Sequence, residues 1–362
     1  MNRMTRSLSI ILIIIVSLTA CSSSVPPKEA LALAMAKTAK LESYALQMTL
    51  GIDELALPAQ AAGEAPAMAL LAPLLGGAEV HISALYQKDP MRMDMNLELT
   101  TAGSMAFKLT LPIILADDKL YVKLPQTPLL PIPEAAVGKS ILIDLKQLAE
   151  QEEAGAALDA ETLQKLTQEV GAELLSGFDN DTYFSEPKPS EAELPKGLEA
   201  DRIVRFKLEE SNYPATVDII VKKTLPAILD ILLSDDDYLK ALKLNKGQLE
   251  EEKSQLDKDS AAIIDRLGKE LLIREWSMTS AIKDGYLIHQ AGSAAMEQGG
   301  DKAADKLKLA LHYDAIYKDL NKKVQFAEEI PAPSDVLTLE QLTKLMAEAG
   351  AGAAAAPGTN PQ

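Results

Sequence analysis

Hydrophobic and polar positions change period several times along this chain. Behind Pro27, the residues Leu31, Ala34, Met35, Thr38 and Leu41 recur at helical spacing, which predicts a helix over about 28–41. The period then becomes two. Tyr44, Leu46, Met48 and Leu50 face one way, while Ala45, Gln47 and Thr49 face the other, as in a half-buried strand. The alternation returns in Val80-Ile82-Ala84-Tyr86 and in Met91-Met93-Met95-Leu97-Leu99. It continues in Met105-Phe107-Leu109-Leu111 and, past an Asp117-Asp118 turn, in Leu120-Val122-Leu124. Short turns between strands with one apolar and one wet face predict an antiparallel meander, since parallel strands would be apolar on both faces.

Further along, Leu158 to Leu175 reads as a helix carrying Leu163, Leu166, Val170 and Leu174 on one side. A second group of strands is expected at Val204-Phe206-Leu208 and Val217-Ile219-Val221. Helices follow over 234–244, with Ser234 as N-cap, and over 246–271. Strands resume at Trp276 to Ile282, turn at Lys283-Asp284-Gly285, and continue through Tyr286–Gln290 and Leu307–Tyr313. A last strand is expected at Asn321–Phe326 and a last helix after Ser334. The fold class is therefore α+β. A sheet with one apolar face requires cover, and the helices are its expected source.

The chain's first residues fix its expected address. Arg3 and Arg6 precede an apolar run from Leu8 to Leu18, too short to cross a bilayer, which takes about 20 residues. The single cysteine of the 362 residues, Cys21, directly follows Leu18, Thr19 and Ala20. That pattern resembles the bacterial lipobox. It implies a lipoprotein signal peptide over 1–20, cleavage before Cys21, and a diacylglyceryl anchor on its thiol. Two acyl chains suffice for stable anchoring, since each buried methylene contributes about 0.8 kcal/mol. The expected location is the extracytoplasmic face of a cell membrane, with residues 21–27 as linker. The expected organisation is one domain over 28–349 and a disordered tail over 350–362.

Composition narrows the chemistry. Without Arg3 and Arg6, the formal charge falls from -17 to about -19, which argues against nucleic acid as a partner. A lipidated Cys21 leaves no thiol for a disulfide or a metal site. His81, His289 and His312 lie in separate strands with no metal-ligand spacing. Neither a phosphate loop, a Gly-x-Ser-x-Gly nor a dinucleotide fingerprint occurs. The expectation is a non-catalytic protein with no cofactor and no metal.

The lipobox, the segments Leu41-Glu-Ser-Tyr-Ala-Leu-Gln-Met-Thr-Leu50 and Ala116-Asp-Asp-Lys-Leu-Tyr-Val-Lys-Leu-Pro125, and the late strands ending in Tyr313-Asp-Ala-Ile-Tyr-Lys-Asp-Leu-Asn-Lys322 together resemble the LolA/LppX-like lipoproteins. The resemblance implies a strongly curved antiparallel sheet, a half-barrel whose concave apolar face is covered by helices around a cavity for acyl chains. The chain departs from that pattern in an apolar insert near 55–77 and a charged helical region near 235–270.

On this reading Met48, Met91, Met93, Met95, Met105, Phe107 and Leu109 line the cavity, although methionines on strands also serve as plain core. Leu70, Leu71, Leu74 and Leu75 belong to the insert, whose one charge between 55 and 78 is Glu64. Such a segment should not be left in water. A lid over the sheet, plain core and a bilayer-touching element are the three readings. Two functions stand side by side: binding of a lipid or other apolar ligand, and an envelope scaffold or sensor that meets a protein partner without a cavity.

Overall fold

The computed structural model describes residues 25–58, 72, 75–102, 106–125, 127, 132–147, 160–299 and 306–354. Leu18, Thr19, Ala20, Cys21, Leu70, Leu71, Leu74 and Met105 lie outside the described residues.

Helix α1 (Pro27–Thr38) starts on a proline, whose missing N–H falls among the donors that a first turn leaves unpaired, and it buries Leu31, Ala34 and Thr38. The expected meander follows as β1 (Ser43–Ala56), β2 (Glu79–Gln87), β3 (Arg92–Thr100), β4 (Lys108–Ala116), β5 (Lys119–Lys123) and β6 (Ser140–Asp144). Helices α2 (Ala160–Ser176) and α3 (Asn180–Tyr183) lead into β7 (Phe184–Ser185) and β8 (Arg202–Leu208). Four helices come next: α4 (Tyr213–Ile219), α5 (Leu225–Ser234), α6 (Asp236–Ala241) and α7 (Lys246–Glu270), with a π-helical turn at Ile220–Thr224 between the first two. The long strands β9 (Leu271–Lys283), β10 (Tyr286–Gly299) and β11 (Lys306–Lys318) are followed by β12 (Val336–Thr338) and α8 (Leu339–Ala354). The last turn of α8 extends into the stretch expected to be tail.

The two strand groups form one sheet. Pairing of β1 with β11 joins them into a curved, open, 12-stranded sheet of order β12-β6-β5-β4-β3-β2-β1-β11-β10-β9-β8-β7. All pairs are antiparallel except β12 with β6. Bulges between Ile52 and Glu54 and in the β9–β10 ladder bend the long strands. The Asp117-Asp118 and Asp284-Gly285 turns hold both residues at positive φ, as tight hairpins of this twist require. The edge strands β7 and β12 have two and three residues, which leaves little unpaired backbone for another chain to extend.

Three local expectations are corrected. Val217-Ile219-Val221 is helical, because Tyr213, Val217 and Val221 repeat every four residues and pack as one stripe against Leu256, Ile263, Ile264 and Leu267 of α7. Asn321–Phe326 is not a strand. It begins a segment crossing the sheet's polar face, where the Arg92 guanidinium lies 4.3 Å over the Phe326 ring and donates to Glu328 O. The caps also shift: Asp235, not Ser234, opens α6 by accepting from Asp237 N at 3.0 Å. At α8, Thr338 replaces Ser334 in a reciprocal capping box with Gln341.

The core sits at one end of the sheet. Val204, Phe206 and Leu208 of β8 are fully buried beneath α1, α2 and their neighbours. Phe206 touches Phe178, Tyr183, Phe184 and Trp276 with ring centroids 5.2–6.1 Å apart. Thr38 of α1 accepts a buried hydrogen bond from Leu287 N at 2.8 Å, fixing that helix to β10.

Candidate functional site: an open apolar face

Ladder registers assign every strand residue to a face, because paired residues share one. Starting from Met48, the register runs through Ile82, Leu97 and Leu111 in one direction and Ala315 in the other. The neighbouring row is Leu46, Ala84, Met95, Ile113, Val122 and Ile141. On the other side of the Met48 row lie Leu50, Val80, Leu99 and Leu109, with Tyr313 and Gly292 continuing that row beyond Leu50. One apolar face thus spans the whole sheet, and its far end contains Phe206 and the buried core.

Cover differs sharply along this face. Phe206 is 0% exposed, whereas Leu50 is 39% exposed and Leu311, one row further on the adjacent strand, 36%. Over β1–β5, Met48, Met93, Met95, Leu97, Leu99 and Leu109 are all half-buried. Helices α1–α7 therefore gather at the β7–β10 end and α8 lies against β6 and β12 at the other edge, while apolar side chains of the eight strands from β10 through β6 keep partial contact with solvent. At about 4.8 Å per strand spacing those strands span roughly 34 Å, and Tyr44 to Ile52 covers about 27 Å along them. A contiguous apolar surface of this extent on a protein marks a binding site more often than it is left unused.

The sequence-predicted lining residues fall on this face with two differences. Met48, Met93, Met95 and Leu109 share it, and Phe107 extends the ladder beside Thr101, donating its N–H to Thr101 Oγ1 at 3.1 Å. Met91 belongs to the turn that precedes β3. The described residues of this set are all half-buried. Of the insert, Leu75 is half-buried, and Gly77 and Ala78 return the chain to β1 through hydrogen bonds with Ile52. Both ends of the insert thus leave from the margin of the apolar face.

Sequence reasoning missed the tyrosines. Tyr44, Tyr86 and Tyr317 meet across three adjacent strands at one end of the face, with centroids 5.0 Å apart for Tyr44 and Tyr86 and 5.5 Å for Tyr44 and Tyr317. Burial pushes the Tyr44 phenol up to about 12, and the nearby Tyr317 and Tyr86 add to the shift. Burial likewise raises Tyr86, Tyr313 and Tyr317. Alternation in Tyr44 and Tyr86 was the available signal, but their meeting with Tyr317 depends on the β1–β11 pairing.

The opposite face is polar and ionic. Each histidine has a carboxylate neighbour there: His81 Nε2 and Glu79 at 3.2 Å, His289 Nε2 and Asp314 at 2.8 Å, His312 Nδ1 and Asp53 at 2.8 Å. Two of these pairs cross strands, so no sequence spacing announces them. His289 is buried and its Nδ1 has no partner among the described residues. Among the described residues no three His, Cys, Asp or Glu side chains are grouped to hold a metal ion. Further along β10, Glu297 is clasped by Arg274 at 2.8 Å and Lys306 at 3.4 Å. Arg274 first, with Lys306, holds its carboxyl down at about 2.

No helix of the described residues is long and apolar enough to cross a membrane. No family model matches this chain, and no curated protein matches it. Among solved structures, one of lipovitellin, titled for its lipid–protein interactions, is similar at a TM-score of 0.26 and 7% identity over 80% of this chain. The chain spans about a quarter of that protein, 26%. The dehydratase-cyclase domain of ambruticin biosynthesis is similar at a TM-score of 0.11 and 13% identity, over 80% of each chain. At these TM-scores neither likeness carries an argument.

Proposed function

We propose that this protein is a lipid-anchored extracytoplasmic protein that holds a lipid or other apolar ligand against the open face of its sheet, without catalysis. One observation carries the reading: the continuous apolar face that is sealed at Phe206 and open at Leu50 and Leu311. On this reading the curved sheet acts as a half-barrel around the ligand, and the lipobox at Leu18–Cys21 supplies the anchor.

Magnitudes favour a long or many-chained ligand. Each buried methylene contributes about 0.8 kcal/mol. Association costs roughly 4–15 kcal/mol, so a dozen or more methylenes must be buried before binding is firm. A face about 34 Å wide accommodates that. Half-buried methionines suit it, since thioethers adapt to flexible chains.

Native mass spectrometry of the chain carrying Cys21→Ser, purified under mild conditions, tests the reading. Co-purifying or exchangeable lipid is expected. A face that takes up no apolar molecule, together with capture of an envelope protein, would replace this reading with that of a scaffold. The anchor has its own test: the wild-type chain partitions into detergent and Cys21→Ser does not.

A further inference from the structure

Six of the nine tyrosines fall into two contrasting groups. At the covered end, every buried phenol is spoken for by protein: the Tyr183 hydroxyl lies 3.2 Å from Thr216 Oγ1, Tyr213 donates to Leu271 O, and Tyr238 donates to Glu169 at 2.9 Å. This is the ordinary rule for phenols removed from water. On the open apolar face, Tyr44, Tyr86 and Tyr317 are packed ring against ring, yet none of their hydroxyls bonds to a described residue. Phenylalanine would fill the same space. What distinguishes this end of the face is three phenols packed together whose hydroxyls have no acceptor among the described residues.

Charge is missing from the same place. On the apolar face of β1–β6, β10 and β11, the registers place no charged side chain among the described residues; its polar members besides the tyrosines are Gln290 and Gln298. Lys88, the cation whose charge reaches Tyr86, is paired with Glu42 at 3.4 Å. A phosphate or carboxylate brought here would lose water without gaining a counter-ion, which is costly. An uncharged acceptor escapes that cost and takes the place of the water that these half-buried phenols reach.

Resting on the reading that this face holds a lipid, we propose that Tyr44, Tyr86 and Tyr317 form the headgroup end of the site and select an uncharged headgroup bearing ester or hydroxyl oxygens. The acyl chains then run from the tyrosines along the strands towards Leu50 and Leu311. Burial keeps the Tyr44 phenol protonated well above neutral pH, so it remains a donor under any physiological condition.

The test uses the full chain carrying Cys21→Ser, delipidated, and three probes: dioleoylglycerol, dioleoylphosphatidate with the same chains, and hexadecane. Dioleoylglycerol is expected to bind about tenfold more tightly than phosphatidate. The triple substitution Tyr44→Phe, Tyr86→Phe and Tyr317→Phe is expected to weaken dioleoylglycerol about tenfold, the worth of one or two hydrogen bonds, and to leave hexadecane unchanged. Equal or tighter binding of phosphatidate overturns the selection. A triple variant that still binds dioleoylglycerol as wild type does, or that loses hexadecane equally, overturns the headgroup role and leaves lipid binding standing. Failure of wild type to bind any of the three removes the lipid reading and this one together.

Discussion

The Tyr313 ring occupies the space beside Gly292, its cross-strand neighbour on the apolar face. A Cβ at Gly292 would stand 2.6 Å from Tyr313 Cε1 and 2.7 Å from Ser277 O, so no larger residue fits while both stay in place. The next residue, His312, does the same on the polar face over Gly51, where a Cβ would meet its ring at 2.1 Å. Each glycine, weak in a strand by itself, lets an aromatic ring cover the backbone.

Gly292→Ala should therefore destabilise by about 1–3 kcal/mol through overpacking. In denaturant unfolding, the loss caused by Gly292→Ala should be smaller in a Tyr313→Ala background than in wild type without vanishing, because Ser277 O remains in the way. A loss that vanishes in that background would show that the ring alone sets the constraint.

The two ends of the apolar face should respond differently to truncation. Phe206→Ala removes a ring from the sealed core and should cost about 3–5 kcal/mol. Leu50→Asp places a carboxylate where the face is already 39% exposed. It should cost under about 1 kcal/mol yet abolish uptake of an apolar fluorescent probe. Comparable stability losses for the two would mean that the open end is core after all.

Acid should weaken the β10–β11 corner in a defined window. Arg274 and Lys306 depress Glu297 to about 2 from an ordinary 4.5. A carboxyl depressed on folding contributes stability that is present above its unfolded pKa and is lost as pH falls through its folded one. The difference in Tm between wild type and Glu297→Gln should thus shrink between pH 4.5 and about 2 and vanish below.

Alkali should report on Tyr44. Its phenol is raised from 10.0 to about 12 chiefly by burial, so its contribution is intact below pH 10.0 and lost as pH rises towards 12. The ultraviolet phenolate titration of wild type minus that of Tyr44→Phe should be centred near 12. A difference centred near 10.0 would mean that burial does not raise the Tyr44 phenol.

Much of this molecule is written locally. Period-two alternation identifies β1 to β5, the Asp117-Asp118 and Asp284-Gly285 turns mark two hairpins, and Pro27 marks the start of α1, because strand faces, turn geometry and helix ends each depend on a few neighbouring residues. The apolar character of the candidate site was equally plain in Met48, Met93, Met95 and Leu109. Alternation misled at Val217-Ile219-Val221, where β-branched residues satisfy a two-residue and a four-residue period alike. Only the Leu256–Leu267 stripe of α7, distant in sequence, selects the helix. Cross-strand partners were similarly out of reach. Nothing in the spacing of Tyr44 and Tyr317, or of His289 and Asp314, foretells that β1 pairs with β11 or β10 with β11. By itself the sequence determined that a broad sheet has one apolar face. The tertiary structure decided which part of that face is sealed, because burial depends on where the helices come to rest, and they rest on Phe206 rather than on Leu50.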